Sequence, residues 1–129
     1  MGIVSRKTFK VKMDQSLVNR LIKNFPEMYR PDEYFGVGDG WYSILWNLSQ
    51  EVMDLCRERG VIPPKVLQVK EKFGGLRVYM EYVGIDDIEE ITLKYEKESY
   101  NICERCGKPG SREGSTGWIK TLCTECRGN

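Results

Sequence analysis

The chain of 129 residues carries 20 basic and 19 acidic side chains, a formal net charge of +1 and a hydrophobic fraction of 40%. This length and composition predict one globular domain with at most a small appendage. The sequence contains no histidine, which excludes Ser-His-Asp and Cys-His catalysis and imidazole metal ligands. No apolar run reaches the length of a membrane span, and the first residues lack the apolar core of a signal peptide. We therefore expect a cytoplasmic protein with no membrane partner.

In the first part of the chain, a segment of alternating side chains precedes a predicted helix. Residues 8–13 alternate apolar and basic side chains, which predicts a short strand or an extended lead-in. Asp14 has the character of a helix N-cap, and apolar residues follow it at helical spacing, so we expect a helix over residues 15–25 that ends at Pro26. Residues 26–40 contain two prolines and three glycines and predict a loop.

A glycine-rich turn, residues 36–41, precedes the longest predicted helix, which runs from about residue 41 to 59 and ends at Gly60. A turn of this kind at a helix N-terminus presents backbone N–H groups to an anion, which makes Asp39 and Trp41 candidate ligand-binding residues. The turn lacks the lysine of a phosphate-binding P-loop. The alternative is that Asp39 caps the helix and Trp41 anchors the core.

Residues 66–82 contain the clearest local pattern, because two alternating runs flank Gly74 and Gly75 and predict a β-hairpin. We expect an apolar face, with Leu67, Val69 and Phe73 among its members, to pack on helices. The opposite face offers four candidate ligand-binding residues: Lys70, Lys72, Arg77 and Tyr79. Cations beside an exposed tyrosine can bind phosphate groups and stack a base. The alternative is a solvated strand face balanced by glutamates.

The last part of the chain predicts a third helix, a hairpin tip and a strand. Acidic residues occupy the start of a predicted helix that runs from about residue 86 to 100. The helix dipole favours negative charge at that end. Residues 110–117 are rich in glycine and serine and predict a flexible tip, and residues 118–122 predict a strand.

Four cysteines form the most specific motif: Cys103, Cys106, Cys123 and Cys126. Two residues separate the members of each pair and sixteen separate the pairs, a spacing typical of a four-cysteine zinc site. Four thiolates leave no open coordination position, so we expect a structural Zn²⁺ rather than a catalytic one. Two disulfides in a secreted protein, or an iron site, are the alternatives.

These elements together predict an α+β fold in which helices pack on a small antiparallel sheet built from the hairpin 66–82. We expect residues 1–100 to form this α+β domain, with a basic N-terminal segment. Residues 101–129 are expected to form a zinc ribbon docked on it.

Three blocks of sequence also carry a resemblance: residues 38–41 (GDGW), residues 68–79 (QVKEKFGGLRVY) and the cysteine pairs with their neighbours. They resemble a group of small, uncharacterised proteins of bacteria, phages and prophages, over residues 38–126. The resemblance implies a cytoplasmic location and a phage-related origin. It implies no activity, and it transfers no functional residue except the cysteines as metal ligands.

The leading functional hypothesis is a non-enzymatic, zinc-stabilised binding protein that recognises a phosphate-bearing partner, either a nucleotide or a nucleic acid. The alternative is an inhibitor or adaptor that acts on a host protein and binds no nucleotide. A metal-dependent nuclease is the third hypothesis, because Gln68-Val69-Lys70 resembles part of a restriction-like core, although its partner acids are not evident.

Overall fold

The computed structural model describes residues 11–128, in which helices and short sheets alternate. The helices are α1 (Gln15–Asn24), α2 (Tyr42–Arg59), α3 (Asp87–Ser99) and the short α4 (Thr124–Arg127). The strands are β1 (Phe35–Gly36), β2 (Val66–Lys72), β3 (Gly75–Met80), β4 (Ser111–Glu113) and β5 (Lys120–Leu122). A single 3-10 turn, Asp39–Trp41, leads into α2. The expected α+β class is confirmed.

The ends of the helices carry residues that favour the start or the end of a helix. The carboxylate of Asp14 accepts the backbone N–H of Ser16 at 3.1 Å, so α1 has the cap that the sequence predicts. Helix α2 ends at Gly60, whose φ of 68° is left-handed and suits glycine. Three acidic residues occupy the first turn of α3, where the helix dipole stabilises negative charge.

The main sheet has the strand order β1-β2-β3. Strands β2 and β3 form the predicted antiparallel hairpin, but β1 pairs parallel to β2, with Phe35 opposite Val69. The sheet is therefore mixed, whereas the sequence predicts a purely antiparallel sheet. The reason is that α2 lies between β1 and β2 in the chain, and such a helical crossover brings two strands together in the same direction.

A bulge in β2 overturns part of the expected hairpin pattern. The register shifts between Val66 and Gln68, so that Val66 is buried while Leu67 is 57% exposed. A bulge adds one residue to a strand and reverses the faces on either side of it. Phe73 is 52% exposed, because it lies in the turn with a φ of 52°. The expectation that Leu67 and Phe73 belong to the apolar face is wrong.

The core lies between the inner face of this sheet and helices α1, α2 and α3. Its fully buried members include Leu21, Phe35, Trp41, Leu45, Leu48, Val52, Val69 and Leu76. Helix α3 runs along the free side of β3, where the hydroxyl of Ser99 accepts the backbone N–H of Leu76 at 2.9 Å. This contact covers one end of a strand edge that would otherwise be open.

The second sheet is the β4–β5 hairpin near the C-terminus, in which Arg112 lies opposite Thr121. The predicted tip over residues 110–117 is therefore partly strand, and the predicted strand over residues 118–122 begins two residues later, at Lys120. In the predicted segment 8–13, residues 8–10 lie outside the described part. Residues 11–13 form no strand, but the N–H of Met13 donates to the carbonyl oxygen of Phe35 at 3.3 Å.

Candidate metal centre and neighbouring surfaces

The four cysteines converge, as their spacing predicts, and we call them the cysteine cluster (Cys103, Cys106, Cys123 and Cys126). Their Sγ atoms all lie within 4.8 Å of one another, and those of Cys106 and Cys123 are 3.6 Å apart. A tetrahedral site with metal–sulfur bonds of about 2.3 Å separates its sulfurs by about 3.8 Å, whereas a disulfide bond is about 2.05 Å long. The cluster can therefore hold a metal ion.

Two tight turns aim the sulfurs at a common point. In the first, Gly107 has a φ of 83° and donates its N–H to the carbonyl oxygen of Cys103 at 2.9 Å. In the second, Cys123 precedes α4 and its sulfur accepts the backbone N–H of Cys126 at 3.4 Å. A left-handed residue costs little when it is glycine, which explains why Gly107 follows the first pair.

The surroundings of Cys103 favour its thiolate. Burial opposes ionisation, but the backbone N–H groups of Cys106, Cys123 and Arg105 donate to the sulfur and lower the pKa of Cys103 to about 6. Cys103 and Cys123 are buried, whereas Cys106 is exposed. A cluster of this kind presents an ionised sulfur on its protein side and stays accessible from solvent on the other.

The glycine-rich turn does bind an anion, but the anion is the side chain of Glu104. The N–H of Gly38 donates to Oε2 of Glu104 at 3.1 Å, and the N–H of Gly40 donates to its backbone oxygen at 2.7 Å. Glu104 is 4% exposed, and burial raises the pKa of its carboxyl. The N–H groups that the sequence offers to an external ligand are therefore used inside the fold.

The two glycines allow this close approach. A Cβ atom on Gly40 would lie 2.0 Å from the carbonyl oxygen of Cys103, and one on Gly38 would lie 2.5 Å from that of Glu104. Neither glycine has a positive φ, so the requirement is space rather than backbone conformation. The turn thus packs directly on the backbone of the first cysteine pair.

The candidate ligand residues Asp39 and Trp41 have other partners. Trp41 is fully buried, and its indole N–H donates to the carbonyl oxygen of Ile102 at 2.8 Å. Trp41 is therefore a core anchor and is not accessible to a ligand. Asp39 caps no helix: its Oδ1 accepts the backbone N–H of Asp14 at 2.8 Å, while Gly38 occupies the N-cap position without a side-chain bond. Asp39 remains exposed and lines a cavity of about 560 Å³ beside Glu104.

The hairpin turn between β2 and β3 also contacts the C-terminal segment. The hydroxyl of Thr121 donates to the carbonyl oxygen of Gly74 at 2.6 Å, and Lys120 pairs with Glu71 at 3.0 Å. A Cβ on Gly74 would press on Arg112, Ile119 and Thr121, so this glycine is also a point of close packing. The glycine-rich turn and the hairpin turn thus both contact the C-terminal segment that contains the cysteine pairs.

The outer face of the main sheet carries the remaining candidates. The register places Lys70 opposite Arg77 and Gln68 opposite Tyr79, so these four side chains share one face. Tyr79 is 40% exposed. Lys70 and Lys72 form no ion pair with any described residue, and Nζ of Lys72 lies 5.8 Å from the centre of the Phe73 ring. We call Gln68, Lys70, Lys72 and Tyr79 the outer-face patch.

Arg77 differs from the two lysines because its charge is already paired. Its Nε lies 3.4 Å from Oε2 of Glu96, and its side chain is 25% exposed. Burial opposes its charge, but Glu96 and the hydroxyl of Tyr79 more than offset this and raise the pKa of the guanidinium. Arg77 therefore adds little free charge to the outer face.

Sequence reasoning missed two residues that shape this region, Glu104 and Thr121. Both are buried and polar, and both bond to a glycine far away in the chain. The only local signal was that the turn contains two glycines, Gly38 and Gly40, although its backbone conformation does not require both of them. Such an excess is typical of a backbone that approaches another segment closely.

Comparison with protein-family models, with curated proteins and with solved structures finds no match for this chain. Within residues 11–128, no helix is long and apolar enough to cross a bilayer.

Proposed function

We propose that the chain is a non-enzymatic binding module that is stabilised by a zinc ion in the cysteine cluster and binds a phosphate-bearing partner on the outer-face patch. The observation that carries the proposal is that an exposed tyrosine shares one sheet face with two lysines that form no ion pair with any described residue.

Zinc is the metal that best fits the cluster. Four thiolates at tetrahedral separations suit Zn²⁺, and they leave no open position for substrate. The ion would tie β5 to the turn that follows Ile102 and so hold the C-terminal segment as a zinc ribbon against the core. Its contribution is therefore to the stability of the fold.

The outer-face patch has the features that single-stranded nucleic acids require. Lys70 and Lys72 are two residues apart on β2, which separates them by about 6.8 Å and lets them contact successive phosphates. Tyr79 lies on the neighbouring strand, where its ring can stack on a base. An open sheet with cations and an aromatic ring accommodates an extended strand better than an enclosed mononucleotide.

The resemblance of the three blocks adds a setting to the proposal, namely the cytoplasm of a bacterium or of a phage-infected cell. It does not help to choose between nucleic-acid types. The alternative function, an inhibitor or adaptor for a host protein, would use the same fold but would not need the two lysines.

The experiment is a titration of a fluorescein-labelled single-stranded oligonucleotide, followed by anisotropy at several salt concentrations. The variant Lys70→Ala/Lys72→Ala removes two phosphate contacts, so we expect weaker binding and a smaller dependence on salt. The matched control is Lys23→Ala/Lys97→Ala, which removes two exposed lysines on α1 and α3. The single variant Tyr79→Ala should also weaken binding. It should leave the salt dependence unchanged, because it removes a stacking contact and no charge.

The proposal fails if the unaltered protein does not bind the oligonucleotide, or if both lysine pairs contribute equally. Equal effects would mean that binding depends only on net charge. If the protein instead binds a mononucleotide, thermal unfolding in the presence of a panel of mononucleotides should reveal it. A specific small ligand raises the melting temperature.

A further inference from the structure

The free edge of β3 is only partly covered. The N–H of Leu76 points away from β2 to Ser99, whereas that of Glu81 points towards β2 and donates to Lys65 at 3.0 Å. Because backbone groups alternate along a strand, the N–H and C=O groups of Val78 and Met80 also point away from β2. Among the described residues, neither N–H has a hydrogen-bond partner. Within residues 11–128, two residues of this strand edge are therefore unpaired.

These groups face a groove between β3 and α3, which we call the edge groove. Its volume is about 430 Å³, and its apolar lining includes Val78, Met80, Tyr82, Ile88 and Leu93. Tyr82 and Leu93 are 76% and 49% exposed. An open strand edge with exposed apolar side chains on both sides is the kind of surface that another extended segment covers.

The charge of the edge groove restricts its occupant. Four carboxylates line it, from Glu81, Asp86, Glu89 and Glu96, against the single cation Arg77. Arg77 already pairs with Glu96. The groove is therefore acidic, which repels phosphates and attracts lysine or arginine side chains.

We propose that the edge groove binds an extended segment of a partner protein that carries lysine or arginine, and that this segment adds a fourth strand beside β3. Its backbone would pair with the N–H and C=O groups of Val78 and Met80. Its apolar side chains would lie on Ile88 and Leu93, and its cations would lie near Glu89 and Asp86. This surface is opposite in charge to the outer-face patch and adjoins it at Tyr79, which lines both.

The test uses the full chain and an acetylated, amidated hexapeptide of alternating lysine and valine. Binding is followed by NMR, through the amide signals of Val78 and Met80 and their rates of hydrogen exchange. New backbone hydrogen bonds should slow the exchange of both amides at least tenfold when the site is saturated. The same peptide with an N-methyl group on every residue cannot pair along either edge and should bind at least tenfold more weakly.

A pair of charge variants locates the site on α3. Glu89→Lys reverses a charge in the edge groove, whereas Glu98→Lys makes the same change at an exposed position of the same helix that does not line the groove. We expect the first to weaken peptide binding about tenfold and the second to leave it within about twofold. An amide spectrum of each free variant confirms that it is folded.

Three results would overturn the proposal. The first is the absence of binding at millimolar peptide, and the second is binding that leaves the exchange of Val78 and Met80 unchanged. The third is equal binding of the N-methylated peptide, which would mean simple charge attraction.

Discussion

The indole N–H of Trp41 donates a hydrogen bond to the backbone carbonyl oxygen of Ile102, 2.8 Å away and 61 residues later in the chain. Ile102 immediately precedes the first cysteine of the cluster, and Trp41 is fully buried beside the start of α2. One hydrogen bond therefore joins the largest side chain of the core to the backbone of the candidate metal centre.

Replacing Trp41 by phenylalanine should destabilise the protein by about 3 kcal/mol, because it leaves the carbonyl of Ile102 without its donor and creates a cavity. Urea denaturation measures the change. Trp118→Phe is the control, since Trp118 is 77% exposed, and it should change stability by less than about 0.5 kcal/mol. Equal losses in the two variants would contradict the assignment of Trp41 as an anchor.

The substitution Gly40→Ala should cost about 3 kcal/mol of stability, because its Cβ would collide with backbone atoms of Cys103 and Gly107 that cannot move independently. Gly128→Ala is matched to it, since Gly128 also lies beside the cysteine cluster but a Cβ there meets its nearest atom at 3.6 Å. We expect no loss for that control in thermal unfolding. A neutral Gly40→Ala would show that the turn does not pack against the first cysteine pair.

Native mass spectrometry of the purified protein should find one zinc ion per chain, and Cys103→Ser should lose it. A chelator should lower the melting temperature of the unaltered protein, because binding to the folded state alone stabilises that state. Cys56→Ser serves as the control: Cys56 is buried in the core away from the cluster, so that variant keeps its metal whatever its stability. Retention of the metal by Cys103→Ser, or its loss from Cys56→Ser, would refute the assignment of the ligands.

The stability of the protein should also depend on Glu51 in a defined pH range. Hydrogen bonds from Lys94 at 2.7 Å and from the hydroxyl of Tyr95 at 2.8 Å hold the pKa of Glu51 below its ordinary value of 4.5. A carboxyl whose pKa is lower in the folded state stabilises that state above its unfolded pKa, and the contribution disappears as the pH falls through the folded pKa.

The variant Glu51→Gln should therefore be less stable than the unaltered protein at pH 7, by less than about 1 kcal/mol because the pair is partly exposed. Near pH 3 the difference should shrink, as measured by urea denaturation. Glu98→Gln removes a carboxylate that forms no ion pair with any described residue, from the same helix as Lys94, and should change stability at pH 7 by less than about 0.5 kcal/mol. If the stability difference between Glu51→Gln and the unaltered protein were larger at pH 3 than at pH 7, the pKa of Glu51 would not be lowered by folding.

The features that follow from neighbouring residues could be predicted from the sequence. The cap at Asp14, the stop at Gly60 and the spacing of the cysteines depend on chemistry within a few positions, and the structure has all three. The hairpin is likewise local, because alternation on both sides of Gly74 determines it.

The features that depend on distant segments could not be predicted. The two residues of β1 show no pattern of their own and form a strand only because α2 returns the chain beside them. The bulge at Leu67 reverses an alternation that reads smoothly in the sequence. The glycines of the turn before α2 resemble an anion site, and only the position of Glu104 reveals that the anion belongs to the chain itself.

The meeting of the glycine-rich turn, the hairpin turn and the first cysteine pair has a consequence for the protein's lifetime. Loss of the metal would loosen the segment that provides partners for Trp41, Gly40 and Gly74, so the core and the cluster should unfold in one cooperative step. Proteases act on the unfolded fraction, which grows as free metal becomes scarce. With a metal ion in the cysteine cluster, as we propose, the abundance of this protein in a cell would follow the supply of that metal.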